Sequence, residues 1–150
     1  MNCIGIRVEP RAVTFAIYSA KVKRIINVEK LVIPQAMRIP EQLSFIRSNI
    51  LDVFREFGIS HVGIRITESN ARQMNVSRIQ LEGVIQEAIA SSPVDTYYTG
   101  QISSISARLG FKRTDFKKYL DNELIFDIEG WTTLDKVEKE AVLTAVGAAL

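Results

Sequence analysis

Apolar residues in the first part of the chain fall into short runs separated by charged and turn-forming residues. Residues 3–8 read as a strand, Glu9-Pro10-Arg11 as a turn, and residues 13–18 alternate well enough for a second strand. The basic stretch Lys21-Val22-Lys23-Arg24 makes a hairpin connection, and residues 25–33 return as a third strand that ends at Pro34. The period then changes. Pro40-Glu41 opens a helix that runs to Phe57 and stops at Gly58, with Leu43, Ile46, Ile50, Val53, Phe54 and Phe57 on one face. Residues 59–66 form a fourth strand. A second helix starts between Asn70 and Asn75 and ends near Ala90, with Ile79, Val84, Ala88 and Ile89 as its expected core positions. Residues 94–98 read as a fifth strand, 102–109 and 114–120 as short helices, and 135–150 as a last helix with Val137, Ala141, Ala145 and Ala149 along one face.

This order predicts an antiparallel meander of three strands, with strands four and five added in parallel through helical crossovers. At 150 residues the chain has room for a real core, and neither a repeat nor a linker divides it, so residues 1–150 are expected to form one domain. The hydrophobic share of 47% and charged share of 24% are ordinary for a globular protein. A net charge of +2 makes no strong global field, so any case for nucleic acid rests on local clusters. No apolar run approaches the ~20 residues needed to span a bilayer, so no membrane association is expected. Met1 leads directly into a strand, without a basic segment and apolar stretch, which predicts no secretory signal. Cys3 is the single cysteine, so no internal disulfide forms. A cytoplasmic location follows as the expectation.

The tripeptide Gly-Ile-Arg occurs twice, at Gly5-Ile6-Arg7 and Gly63-Ile64-Arg65, each time at the C-terminal end of an apolar strand. In open α/β sheets ligands collect at that edge, and arginine there suits phosphate or carboxylate. Several segments resemble RuvC-type Holliday-junction resolvases of the ribonuclease H-like superfamily. Ile4-Gly5-Ile6-Arg7 followed by Val13-Thr14-Phe15-Ala16-Ile17 looks like the family's opening strands. Val62-Gly63-Ile64-Arg65 is similar to its fourth strand, and Gln80-Leu81-Glu82-Gly83-Val84 to its glycine-bearing helix. Val94-Asp95-Thr96-Tyr97-Tyr98 before Gln101-Ile102 resembles its fifth strand, and Glu140-Ala141-Val142-Leu143-Thr144-Ala145-Val146 its last helix. The resemblance covers nearly the whole chain. It implies an α/β ribonuclease H-like fold, a mixed five-stranded sheet (three antiparallel strands, two parallel) flanked by helices.

The resemblance also implies a site for two divalent metals between carboxylates of the first strand, the fourth strand and the last helix, and here the chain departs from it. Arg7 and Arg65 stand at the two strand positions, Glu140 matches one acid of the last helix, and Val137 falls where another is expected. At ~4 Å, like charges repel by about 1 to 4 kcal/mol each in wet surroundings. Two arginines therefore oppose the cation that the carboxylates would hold, and no metal or other cofactor is expected. Shifted carboxylates offer the alternative: Glu9, Glu68, Glu138 and Glu140 converging as a divergent nuclease site with Mg2+ or Mn2+. Arg7 and Arg65 otherwise bind an anion or nucleotide, or pair with Glu140 or Glu138 as a ligand-free relic.

A second cluster, Lys112-Arg113-Thr114-Asp115-Phe116-Lys117-Lys118-Tyr119 with Arg108 a turn earlier, interleaves cations and aromatics as phosphate- and base-contacting surfaces do. The same pattern suits an amphipathic helix with Phe116 and Leu120 inward and its lysines in water. Lys21, Lys23 and Arg24 form a lesser patch that keeps a hairpin tip soluble. Phe126 and Trp131 lie in an apolar-acidic stretch that reads either as a protein interface or as a loop packed on the core. His61 is the only histidine and has no partner for a nucleophile–base pair, while Ser69-Asn70 and the serines of 102–106 read as caps and helix surface. The expected role is a catalytically inactive subunit that binds nucleic acid, a protein partner or a second copy of itself. An active endonuclease and an anion or nucleotide sensor are its rivals.

Overall fold

The computed structural model describes residues 1–150. Its strands are β1 (Asn2–Glu9), β2 (Ala12–Ser19), β3 (Arg24–Val32), β4 (Ile59–Arg65) and β5 (Thr96–Gly100), and its helices are α1 (Ile39–Glu56), α2 (Val76–Ala90), α3 (Ile102–Leu109), α4 (Arg113–Leu120) and α5 (Lys136–Ala148). The strand order is β3-β2-β1-β4-β5. β1 pairs antiparallel with β2 and β2 with β3, whereas β1–β4 and β4–β5 are parallel. This is the mixed sheet the pattern predicts, with β1 at its centre. No helix is long and apolar enough to cross a membrane.

Strand alternation divides the core between the two faces of the sheet. Ile4, Ile6, Val8, Val13, Phe15, Ile17, Val62 and Ile64 pack with Ile46, Ile50, Val53 and Phe54 of α1 and with Leu81, Ile85 and Ile89 of α2. The opposite face carries Ala16 and Tyr18 against Ile105, Phe116, Trp131 and the inner residues of α5. Cys3 is fully buried, and burial pushes its thiol above the ordinary value.

α5 lies against β1, β2 and β4. Its close approach explains one half of the repeated tripeptide. A Cβ on Gly5 would lie 2.0 Å from the Ala141 carbonyl oxygen, and one on Gly63 would lie 2.8 Å from the Thr144 carbonyl oxygen. Any side chain at either position lifts the helix from the sheet. The register places Gly5 beside Gly63, Ile6 beside Ile64 and Arg7 beside Arg65. The two tripeptides are therefore one feature, a pair of adjacent parallel strands presenting the same three residues side by side.

Three expectations need correction. Ile79 is 42% exposed, because α2 turns Leu81, Glu82, Ile85, Ala88 and Ile89 inward and leaves Ile79 on the outer side. β5 starts two residues later than its apolar pattern suggests. Val94 packs against the core ahead of it, and Asp95 donates its amide to Ser60 at 2.9 Å. α5 is buried over most of its circumference rather than along one stripe, since it lies between the sheet and the α3–α4 pair.

Candidate functional site

Arg7 and Arg65 are register partners at the C-terminal ends of two neighbouring strands, which lie ~4.8 Å apart in any sheet. Two guanidinium groups at that spacing need a counter-charge, and α5 supplies it. Arg7 donates Nε–H to Glu140 Oε2 at 2.8 Å, and Arg65 donates Nε–H to Glu140 Oε1 at 3.1 Å. One carboxylate thus bridges both strands. Its own backbone carbonyl accepts from Thr144 Oγ1 at 2.7 Å. The bridge is largely out of water, with side-chain exposures of 15% for Arg7, 6% for Arg65 and 8% for Glu140.

Each arginine also donates Nη1–H to the backbone carbonyl of the next residue, Arg7 to Val8 and Arg65 to Ile66. Glu68 continues the network. Its Oε2 accepts from Arg65 Nη1 and from the Ile102 amide that opens α3, both at 3.1 Å, and its Oε1 lies 4.0 Å from Arg113 Nη2. A charge-paired chain therefore runs from Arg7 through Glu140, Arg65 and Glu68 to the first turn of α4.

Two further residues join this corner from the opposite face of the sheet. Glu82 of α2 is buried and accepts from the Thr67 amide at 3.1 Å and from the Thr67 hydroxyl at 2.9 Å, which ties the segment after β4 to the helix. Arg78 donates Nε–H to the same carboxylate at 2.8 Å. Burial first, and then the positive charge of Arg7, pull the Arg78 guanidinium below its ordinary value, with Glu82 opposing both. Arg78 Nη2 is buried and has no hydrogen-bond partner. The i,i+4 spacing of Arg78 and Glu82 is visible in the sequence, but nothing there says that the pair faces Arg7 and Arg65.

The structure sorts the remaining predicted residues. Of the four carboxylates, Glu68 and Glu140 meet around Arg65, while the other two lie elsewhere. Glu138 is spent on the N-terminal cap of α5, where it accepts from the Asp135 amide at 2.8 Å. Glu9 lies at the end of β1 beside an open hollow lined by Pro10, Arg11, Lys30 and Val32. No three acidic, histidine or cysteine side chains gather where they could hold one cation. This corrects the convergence proposed for Glu9, Glu68, Glu138 and Glu140: the helix cap and the strand end claim two of them.

Arg108 is exposed and packs on Tyr98. Its guanidinium lies 4.0 Å from the Tyr98 ring centroid and donates to the Gly147 carbonyl at 3.0 Å, closing the end of α5. Lys112, Arg113, Lys117 and Lys118 are exposed along α4 while Phe116 is buried, as an amphipathic helix requires. Trp131 is 1% exposed, with its Nε1–H donated to the Tyr119 carbonyl at 3.2 Å. The Trp131 side chain is therefore held in the protein's own core and not presented at the surface. Phe126 is half-buried and packs at a tilt against Trp131 with ring centroids 5.4 Å apart, so both rings lie on the protein's own core.

The sequence matches no protein-family model and no curated protein. The backbone does match solved structures. RuvC of Thermus thermophilus superposes with a TM-score of 0.77 at 14% identity, over 99% of this chain and 93% of that one. The fold is that of RuvC. The Thermus thermophilus RuvC in complex with a Holliday junction substrate gives a TM-score of 0.75 at 15% identity, over 99% and 92% of the two chains. Ydc2, the yeast mitochondrial Holliday junction resolvase, gives 0.58 at 11% identity over 96% and 75%. On this RuvC fold the corner at the ends of β1 and β4 holds alternating arginines and glutamates, each glutamate carrying a guanidinium.

Proposed function

We propose that this protein is a nucleic-acid-binding domain of the RuvC fold that does not cleave phosphodiesters. The observation that carries this reading is the Glu140 carboxylate held between Arg7 and Arg65. Magnesium and manganese demand hard oxygen ligands, and two-metal hydrolysis needs several carboxylates around the scissile bond. Here both oxygens of Glu140 accept from guanidinium groups, and Oε2 of the neighbouring Glu68 accepts from Arg65. The residues present do not fit a divalent cation.

Binding is supported by the cations of α4. Lys112 and Lys117 have no acidic partner, Arg113 has one only at 4.0 Å, and Lys118 has one at 3.7 Å. Such side chains gain by neutralising phosphates and releasing counterions. The burial of Trp131 takes away the main support for a protein interface at that stretch.

The test is a titration of single-stranded, duplex and branched DNA and of RNA, with Mg2+ or Mn2+ present, scoring binding and cleavage together. The expected result is salt-sensitive binding without cleavage, and each of Lys117→Ala and Lys118→Ala lowers the salt slope by about 1. Metal-dependent cleavage that vanishes in Glu140→Gln or Glu68→Gln sinks the proposal.

A second reading has its own observation. Nε and Nη1 of Arg7 and Arg65 are taken up within the chain, which leaves the Nη2 of each, and the Nη2 of Arg78 is buried and unpartnered. An anion accepting from these donors would act as a ligand of the arginine corner. Inorganic phosphate that shifts the arginine Nε resonances of the native protein but not of Arg78→Gln supports this sensor reading; unchanged resonances remove it.

A further inference from the structure

Between α3, α4 and α5 lies a cleft of about 370 Å³. Ile102, Phe116 and Leu120 give it apolar walls, Arg113, Thr114 and Lys117 line it from the first turns of α4, and Glu140 completes the lining. Its size is in the range of sites for small organic ligands. Two properties narrow the occupant. The apolar walls gain nothing from a bare inorganic ion, which keeps its hydration, so the occupant has an apolar body. The cations next to those walls are only partly neutralised by the chain, since Lys117 has no acidic partner and Arg113 shares Glu68, at 4.0 Å, with Arg65. The occupant therefore also carries negative charge.

We propose that this cleft receives one unstacked nucleotide of a nucleic acid, with its base against Ile102 and Leu120 and its phosphate on Arg113 and Lys117. The inference rests on the nucleic-acid-binding reading and adds to it the form of ligand. A duplex offers phosphates and base edges to a protein but keeps its base faces stacked, so it cannot fill an apolar cleft of this kind. An unpaired strand offers a flat apolar face next to each phosphate. The ligand class is thus single-stranded or locally unpaired nucleic acid. Glu140 links the cleft to the arginine bridge, so a strand seated there lies next to the ends of β1 and β4.

The test compares an end-labelled oligothymidylate with a hairpin duplex of equal length by fluorescence anisotropy. Thr114→Phe fills the cleft without changing charge, and the double variant Arg113→Gln/Lys117→Gln removes charge without filling it. A native far-ultraviolet circular dichroism spectrum and melting curve qualify each variant. The native protein is expected to prefer the single strand about tenfold, because only an unpaired base buries apolar surface in the cleft. Thr114→Phe loses that preference and keeps its duplex affinity, whereas the double variant weakens both ligands. An oligonucleotide with a single 2-aminopurine gives a second readout independent of the variants, its emission changing on binding to the native protein. Equal affinity for the two ligands, or a preference unmoved by Thr114→Phe, overturns the inference and leaves the functional reading intact. Failure to bind either ligand overturns the functional reading, and this inference falls with it.

Discussion

Removing the Glu140 carboxylate exposes what it does. Glu140→Ala leaves two mostly buried guanidinium groups side by side with no counter-charge. Breaking a buried pair in this way costs about 3–5 kcal/mol, well above an exposed ion pair. Urea denaturation of the native protein and the variant measures the loss, and a difference within experimental error refutes the bridge. Tyr98 makes a second prediction at this scale. Its hydroxyl donates to the Thr144 carbonyl at 2.8 Å, and burial pushes it well above the ordinary phenol value, with the Arg108 charge opposing. A raised folded value means that the contribution is complete below the unfolded value of about 10 and is lost as pH rises past it. In an absorbance titration at alkaline pH, Tyr98 should be the last of the four tyrosines to ionise, and Tyr98→Phe should remove that late phase. Which side chains bear charge at the site was legible in the sequence for Arg7, Arg65 and Glu140. Arg78 and Glu82 were not, because they reach the same corner from a helix on the other face of the sheet, a relation that only the folded chain creates.

Among the elements, α5 decides the geometry of the corner, and it does so through two glycines. Gly5→Ala places a methyl group into the Ala141 carbonyl, where backbone and not a flexible side chain must give way. The expected outcome is loss of more than about 3 kcal/mol, at the upper end for overpacked cores, or failure to fold. Gly83→Ala, a position with open space around it, is the control and should be neutral or slightly stabilising. The strands and helices themselves were readable from periodicity, whereas the side-by-side register of the two Gly-Ile-Arg tripeptides appeared only in the fold. The corrections arose where periodicity is weak. Ile79 is apolar yet lies outside, since the buried stripe of α2 is set by Leu81, Ile85, Ala88 and Ile89. Trp131 sits in a segment with no period at all, and its burial follows from the packing of Tyr119 and Phe126 around it.

For the molecule as a whole, a fold like that of RuvC carries at the ends of β1 and β4 a self-neutralised network of arginines and glutamates. Lys112 and Lys117 are exposed and have no acidic partner, and on the proposed function they place the ligand beside this corner. Neutralising Lys112, Lys117 and Lys118 together should therefore weaken polynucleotide binding strongly without altering stability, measured by anisotropy and melting on the same samples. Trp131 gives such experiments an unplanned advantage. It is the chain's only tryptophan, it lies edge-on to Tyr119 with centroids 6.5 Å apart, and it is hydrogen-bonded to the backbone near the end of α4. All indole emission thus originates from one rigid, water-excluded position behind the helix that carries the cations. A ligand that moves α4 changes the wavelength or intensity of that single band, so the protein comes with its own optical probe of occupancy.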